Sequence, residues 1–288
     1  MSAEAWSASF GVKRPILGII SITYGIFMVF LMFVVGIVDM LALSMNSIST
    51  GLLAYQGAVF CTYPVFIYFL GLAGLGLWCC SCFMNILLLV NRTMNIANSS
   101  LSRYFFDGYR TYIALLAPII YGLYFVFFTP TCMFSSRYYA WFYDPFIFPN
   151  MTSQYTNIPH GVNNLMIMCG TFVFYGYITI LIWKARKTGN SHDLSSQSYQ
   201  ILYQSIAVCF INQVSSSVYV IMNFVLVPEW IIVLAQLLWQ LDHGSPVIIY
   251  LTMNPTIRSR FFEKIKWRMR CTSSVQPTSV RNASSYKL

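Results

Sequence analysis

Six long apolar runs dominate the chain, and the only carboxylates inside any of them are Asp39 and Asp242. They cover residues 15–46, 65–90, 112–128, 162–183, 201–227 and 230–251. Runs of this length match the roughly 20 apolar residues that a helix needs to cross a bilayer. In hydrocarbon a segment must satisfy its own backbone polar groups, so such runs fold as helices. The first run holds 32 residues. At about 1.5 Å per residue it reaches about 48 Å, enough for one long or tilted span and too short for two. Charged residues make up only 9% of the chain, against about a quarter in a soluble domain. The reading is therefore an all-α, polytopic membrane bundle with six clear spans.

Lysine and arginine set the orientation. The segment 92–111 carries Arg92, Arg103 and Arg110, the segment 184–199 carries Lys184, Arg186 and Lys187, and the tail from Arg258 carries eight more. The opposite side holds only Arg137, so fourteen stand against one. This bias places the C-terminus in the cytoplasm. Six spans put the N-terminus there too, beside Lys13 and Arg14. The net charge of +9 then reflects membrane sidedness rather than nucleic-acid binding. The run after Lys13-Arg14 is too long for a signal-peptide core and lacks a small-residue cleavage site. Four regions result: an N-terminal segment 1–14, the bundle 15–258, a basic amphipathic surface helix 259–271, and a polar, disordered tail 272–288.

On the outward side, Asn150-Met151-Thr152 is a glycosylation sequon. The loop 129–160 is crowded with aromatic residues from Tyr138 to Phe148, which suits either a lid over the bundle mouth or an interfacial belt. Cys61 and Cys132 share that oxidising side and form a candidate disulfide, with two free thiols as the alternative. The cluster Cys79-Cys80-Ser81-Cys82 has no second ligand pair at zinc-site spacing, so no metal or cofactor is expected.

Polar stripes run along several spans. Asp39, Asn46 and Thr50 share a face, as do Ser205, Asn212, Ser216, Tyr219 and Asn223. Trp78, Cys82, Asn85 and Arg92 recur at similar spacing. In the last span Gln236, Gln240, His243, Tyr250 and Asn254 fall within about 40° of one direction, with Asp242 roughly 100° away. His243 therefore belongs to the inward stripe and Asp242 to a seam with a neighbouring helix. Asp39, Asn46, Asn85, Asn212 and Asn254 form the expected interior polar core. Interhelical hydrogen bonding explains most such residues, but an intramembrane ionisable group points to a site. Catalytic signatures are missing: the chain has no HExxH, no GxSxG and no Gly-rich phosphate loop. An enzyme is not expected.

Several stretches together resemble the nematode serpentine chemoreceptor superfamily, seven-helix G-protein-coupled receptors, most closely class T. They are Asp39-Met40, Asn46 and Gly51, then GAVFCTYP (57–64), GLWCCSCFMNILLLVNR (76–92), FFDGYR (105–110), YDPFI (143–147), ILYQS (201–205) and WQLDHGSPVIIYLTMNPTIR (239–258). The resemblance covers nearly all of residues 36–258. It implies a chemosensory receptor in the plasma membrane of sensory cells or their cilia, taking a small ligand in the outer half of the bundle and signalling to a heterotrimeric G protein. Ligand-contact candidates are Trp78, Tyr219, Asn223, Trp239, Asp242 and His243, with His243 beside Trp239 preferred and Asp242 as a structural partner. Coupling candidates are Asn91, Arg92, Lys184, Arg186, Lys187 and Arg258. Asn91-Arg92 resembles the inner end of helix three, although the usual acid before the arginine is Asn91 here. Asn254-Pro255 resembles the helix-seven exit. Residues 15–26 resemble part of helix one joined directly to helix two at 27–44, so helices one and two merge and six spans remain. The alternatives are a truncated, non-signalling homologue that acts as a membrane partner by dimerising with full-length receptors, and a small-solute transporter or channel.

Overall fold

The computed structural model describes residues 34–97, 99–106, 109–148, 154–187 and 196–273. Only the part of the 15–46 run from Val34 onward is therefore described. The first described helix, α1 (Val34–Tyr55), continues past residue 46 because its polar end satisfies itself. Ser44 Oγ donates to Met40 O, Ser49 Oγ to Ser44 O and Thr50 Oγ1 to Met45 O. The last two bonds reach five residues back, across a π-helical turn at Ser44–Ser49. Gly57, at φ 67°, closes the helix. Ala58 N donates to Leu53 O and Gly57 N to Ala54 O, the paired bonds of a Schellman end.

Among the described residues seven further α-helices follow: α2 (Pro64–Ala97), α3 (Ser99–Phe106), α4 (Arg110–Phe128), α5 (Ile158–Lys187), α6 (Ser196–Phe224), α7 (Glu229–Met253) and α8 (Pro255–Ser273). Helix α2 begins on Pro64, whose missing N–H costs nothing at a first helical position. It is the central pillar, packed against α4, α5 and α6. Close approach to α4 depends on two glycines. A Cβ on Gly76 would lie 2.4 Å from Val126 Cγ2, and one on Gly122 would lie 2.7 Å from Gly76 O. Small residues bring membrane helices together in this way. By length and composition, α1, α2, α5 and α6 can each cross a membrane, and Tyr112–Phe128 is a shorter apolar helix. Gln236, Gln240, Asp242 and His243 dilute α7, yet it is clamped between α1 and α6 by hydrogen bonds from those same residues.

Between α4 and α5 the chain forms one small antiparallel hairpin, β1 (Met133–Ser135) and β2 (Ala140–Phe142), with Phe134 opposite Trp141. The all-α expectation misses this element. It lies over the end of the bundle where α2 begins and α6 ends. Trp141 Nε1 donates to Thr50 Oγ1 at 2.9 Å, and Ser136 N to Ala58 O at 3.1 Å. The approach at its root is tight, since a Cβ on Gly71 of α2 would fall 1.8 Å from Cys132 O.

The expected Cys61–Cys132 disulfide is not formed. Both thiols are free, with Cys61 exposed and Cys132 buried. Cys132 Sγ turns toward the α2 backbone, 3.7 Å from Gly71 O, while Cys61 sits in an exposed 3₁₀ turn. A shared oxidising side is necessary for a bridge but does not supply its geometry. Burial pushes the Cys132 thiol up to about 12.

Candidate functional site

A cavity of about 200 Å³ opens beneath the hairpin. Each neighbouring element contributes a wall: Trp78 from α2, Trp141 and Tyr143 from the hairpin and its exit, His160 from α5, Tyr219 from α6 and Trp239 from α7. Leu75, Met222 and Ile232 add apolar surface, and among the described residues the lining contains no Asp, Glu, Lys or Arg. On α7 the wall residues Ile232, Ala235 and Trp239 lie three and four positions apart, one helical face.

The walls are held by polar edges turned away from the space. Trp78 Nε1 donates to Asn164 Oδ1 at 3.0 Å, and Tyr219 Oη donates to Ala235 O at 3.4 Å. Ring contacts lock them further. Trp78 stands edge-to-face with Tyr219, Trp239 and His243 at centroid distances of 6.1, 6.3 and 6.1 Å. Such geometries each add about 0.5–1.5 kcal/mol beyond burial.

Below the cavity, toward the basic end, lies a buried polar layer. His243 Nδ1 meets Asp39 Oδ1 at 2.8 Å, and Ser81 Oγ donates to the same oxygen at 3.2 Å. Asn212 Nδ2 donates to Asp242 Oδ2 at 3.1 Å. At the α1–α7 seam, Gln236 and Gln240 both donate through Nε2 to Asn46 O, at 3.0 and 2.9 Å, and Asn46 Nδ2 reaches Trp239 O at 3.4 Å. Asp39, Asn46, Asn85 and Asn212 are all buried. Asn254 is half-buried and caps α8, its Oδ1 accepting from Ile257 N. Each ionisable group therefore has a partner on another helix, which offsets its cost in hydrocarbon. Asn46 Oδ1, Gln236 Oε1, Asp242 Oδ1 and His243 Nε2 nevertheless meet no partner among the described residues.

The ligand candidates divide accordingly. Trp78, Tyr219 and Trp239 line the cavity. Asp242 and His243 do not: His243 is buried one level lower and closed on Asp39, not beside Trp239 in the cavity wall as expected, while Asp242 pairs with Asn212 of α6 at the expected seam with a neighbouring helix. The side chain of Asn223 lies outside the described residues. At the basic end Asn91 and Arg92 are buried, whereas Lys184, Lys187 and Arg258 are exposed. Arg258 Nη1 donates to Thr252 O at the end of α7. The side chain of Arg186 and the sequon at Asn150 lie outside the described residues.

A family profile described as "Serpentine type 7TM GPCR chemoreceptor Srt" matches residues 29–273. The chain belongs to this family. A curated relative, Serpentine receptor class T-55 of Caenorhabditis elegans, is 24% identical over 238 residues. That match covers 82% of this chain, and the chain spans 64% of the relative's length. The fold is that of the family's serpentine helix bundle, and the protein is an integral membrane protein.

For this member of the family, the sequence did not point to the residues that complete the cavity. His160 falls at the border of a loop and a span, and only its spacing to Asn164, one helical turn on, hints at a shared face. Trp141 and Tyr143 were part of an aromatic loop in which no periodicity distinguished inward from outward side chains.

Proposed function

We propose that the chain is a chemosensory G-protein-coupled receptor. A small ligand enters the aromatic cavity from outside the cell, and the basic end, in the cytoplasm, engages a heterotrimeric G protein. The C-terminus is cytoplasmic in this reading, Asn150 is on the extracellular side and available for glycosylation, and the membrane is the plasma membrane of a sensory cell.

The observation that carries this reading is the continuity from cavity to polar layer. Trp78 and Trp239 are walls of the cavity, and each also touches the layer beneath, Trp78 through the His243 ring and Trp239 through its carbonyl at Asn46. A ligand that moves the Trp78 indole alters the packing of the His243 ring and so of the Asp39–His243 pair, and one that moves the Trp239 indole alters its packing in the cluster that includes Met45 of α1. Ligands shift an equilibrium between two arrangements only through differential affinity for them. A coupling of about 1–3 kcal/mol would be typical. Arg92, buried at the basic end, becomes available to a G protein in the second arrangement, with Asn91 beside it. Lys184, Arg186, Lys187 and Arg258 supply the surrounding positive charge.

The test is guanine-nucleotide exchange on a heterotrimeric G protein in membranes carrying the chain, stimulated by a panel of small odorous molecules. Wild type responds to at least one compound, and Ala235→Trp, which fills the cavity from α7, abolishes that response while still reaching the surface. A chain that reaches the surface and stays silent to every compound contradicts signalling and favours a partner role beside full-length receptors.

A further inference from the structure

One hydrogen-bonding chain determines what the cavity can recognise. An indole N–H only donates, so the bond from Trp78 Nε1 identifies the atom of Asn164 that it meets as the carbonyl oxygen. Asn163 Nδ2 donates to that same oxygen at 3.1 Å, and Tyr121 Oη holds Asn163 from behind at 3.0 Å. The remaining end of Asn164 is therefore its NH₂ group, which faces His160 Nε2 at 3.3 Å. Nε2 must accept that bond, so the proton of the imidazole sits on Nδ1. His160 is half-buried and lines the cavity, and its Nδ1 has no hydrogen-bond partner among the described residues. It also meets Tyr143 and Tyr219 edge-to-face, at 5.9 and 6.4 Å, which holds the ring in place.

The cavity thus offers aromatic walls, the His160 N–H donor and, among the described residues, no formal charge; the indole N–H of Trp239, another wall residue, is buried and also meets no partner there. A carboxylate ligand would find no Lys or Arg in the lining. An ammonium ligand would find π faces, which attract cations, but also an N–H dipole with its positive end turned inward and no carboxylate to replace its hydration. A cavity of about 200 Å³ is smaller than the roughly 300–1,000 Å³ of sites for drug-sized ligands.

Resting on the reading of this cavity as the receptor's ligand site, we propose that it takes a small neutral molecule bearing a hydrogen-bond acceptor, of the ketone, aldehyde or ester class. The acceptor oxygen takes the His160 Nδ1 proton, and the apolar body packs against Trp78, Tyr219 and Trp239. Asn164 is the positioning residue that keeps the donor tautomer facing the cavity.

The experiment uses one ring skeleton with four head groups. The full chain in lipid nanodiscs, with empty nanodiscs as the partitioning blank, is titrated by tryptophan fluorescence with cyclohexanone, methylcyclohexane, cyclohexylammonium and cyclohexanecarboxylate. Cyclohexanone binds most tightly, methylcyclohexane roughly three- to tenfold more weakly, as the loss of one neutral hydrogen bond implies, and the two ions more weakly still. His160→Phe removes the ketone's advantage and leaves methylcyclohexane unchanged; His160→Gln, which keeps an N–H donor, retains part of that advantage. Tightest binding by cyclohexylammonium overturns the proposal in favour of a cation cage. Survival of the full ketone preference in His160→Phe overturns it by placing the donor elsewhere. Equal binding of ketone and hydrocarbon in wild type overturns it while leaving the receptor reading intact. Silence of all four probes in wild type overturns both. The wild-type ranking decides the matter without any variant, so a variant that fails to fold does not blunt the test.

Discussion

The cavity under the hairpin and the polar layer below it use similar residues in opposite ways. In the cavity, the polar edges of Trp78, Trp141 and Tyr219 are bonded outward into the walls, leaving ring faces toward the space. In the layer, Asp39 pairs with His243 and Asp242 with Asn212 across helices, and all four are buried. The difference follows from what each group costs away from water. An ionisable side chain in a membrane demands a partner, so it is committed to structure. An indole or phenol can spend its single polar atom on the wall and still offer a large apolar face. On the proposed reading, recognition would sit with the weakly polar residues and cohesion with the strongly polar ones.

The largest effect should come from unpairing the layer. Asp39→Leu leaves His243 buried without its partner, and removal of one member of a buried pair costs about 3–5 kcal/mol. Thermal unfolding in detergent should show that loss, and the double variant Asp39→Leu/His243→Leu should recover most of it. A double variant as unstable as the single one would break the distinction, because the pair would then not be acting as a unit.

Next is the root of the hairpin. Gly71→Ala would set a Cβ 1.8 Å from Cys132 O, and both atoms belong to packed segments. Overpacking of this kind costs roughly 1–3 kcal/mol, and the roof must lift to relieve it. Cavity binding should fall while the polar layer is unaffected. Gly176→Ala, which meets nothing within 4 Å, is the neutral control.

The smallest effect is a difference in thiol chemistry that maps the roof itself. Burial holds the Cys132 thiol near 12, and only the thiolate is nucleophilic. Between pH 7 and 9 maleimide should label exposed Cys61 and leave Cys132 unmodified, as read by peptide mass spectrometry. Equal labelling of both at pH 8 would mean that the hairpin is not seated on α2.

Much of this arrangement was legible in the sequence, and the rest was missing for identifiable reasons. Helical periodicity gave direction correctly: Ser205, Asn212 and Ser216 on α6 are buried, and so are Gln236 and His243 on α7. It did not give depth. Ile232, Ala235 and Trp239 line the cavity, while His243, four residues further along the same face, lies below it. Asp242, read as lying to one side, is as buried as His243 because α6 covers that side of α7. The hairpin was hidden because strands of three residues are too short to show a period. His160 was hidden because the apolar run begins just after it, although α5 itself begins at Ile158.

The most direct test of the central claim, that the ligand sits under the hairpin rather than in the polar layer, is hydrogen exchange of the full chain in nanodiscs with and without cyclohexanone. Protection should rise in residues 133–143 and in the first turns of α5 and α7, with segments around Asp39 and Asp242 changing little. Protection centred on Asp39 and Asp242, with the hairpin unaffected, would contradict it.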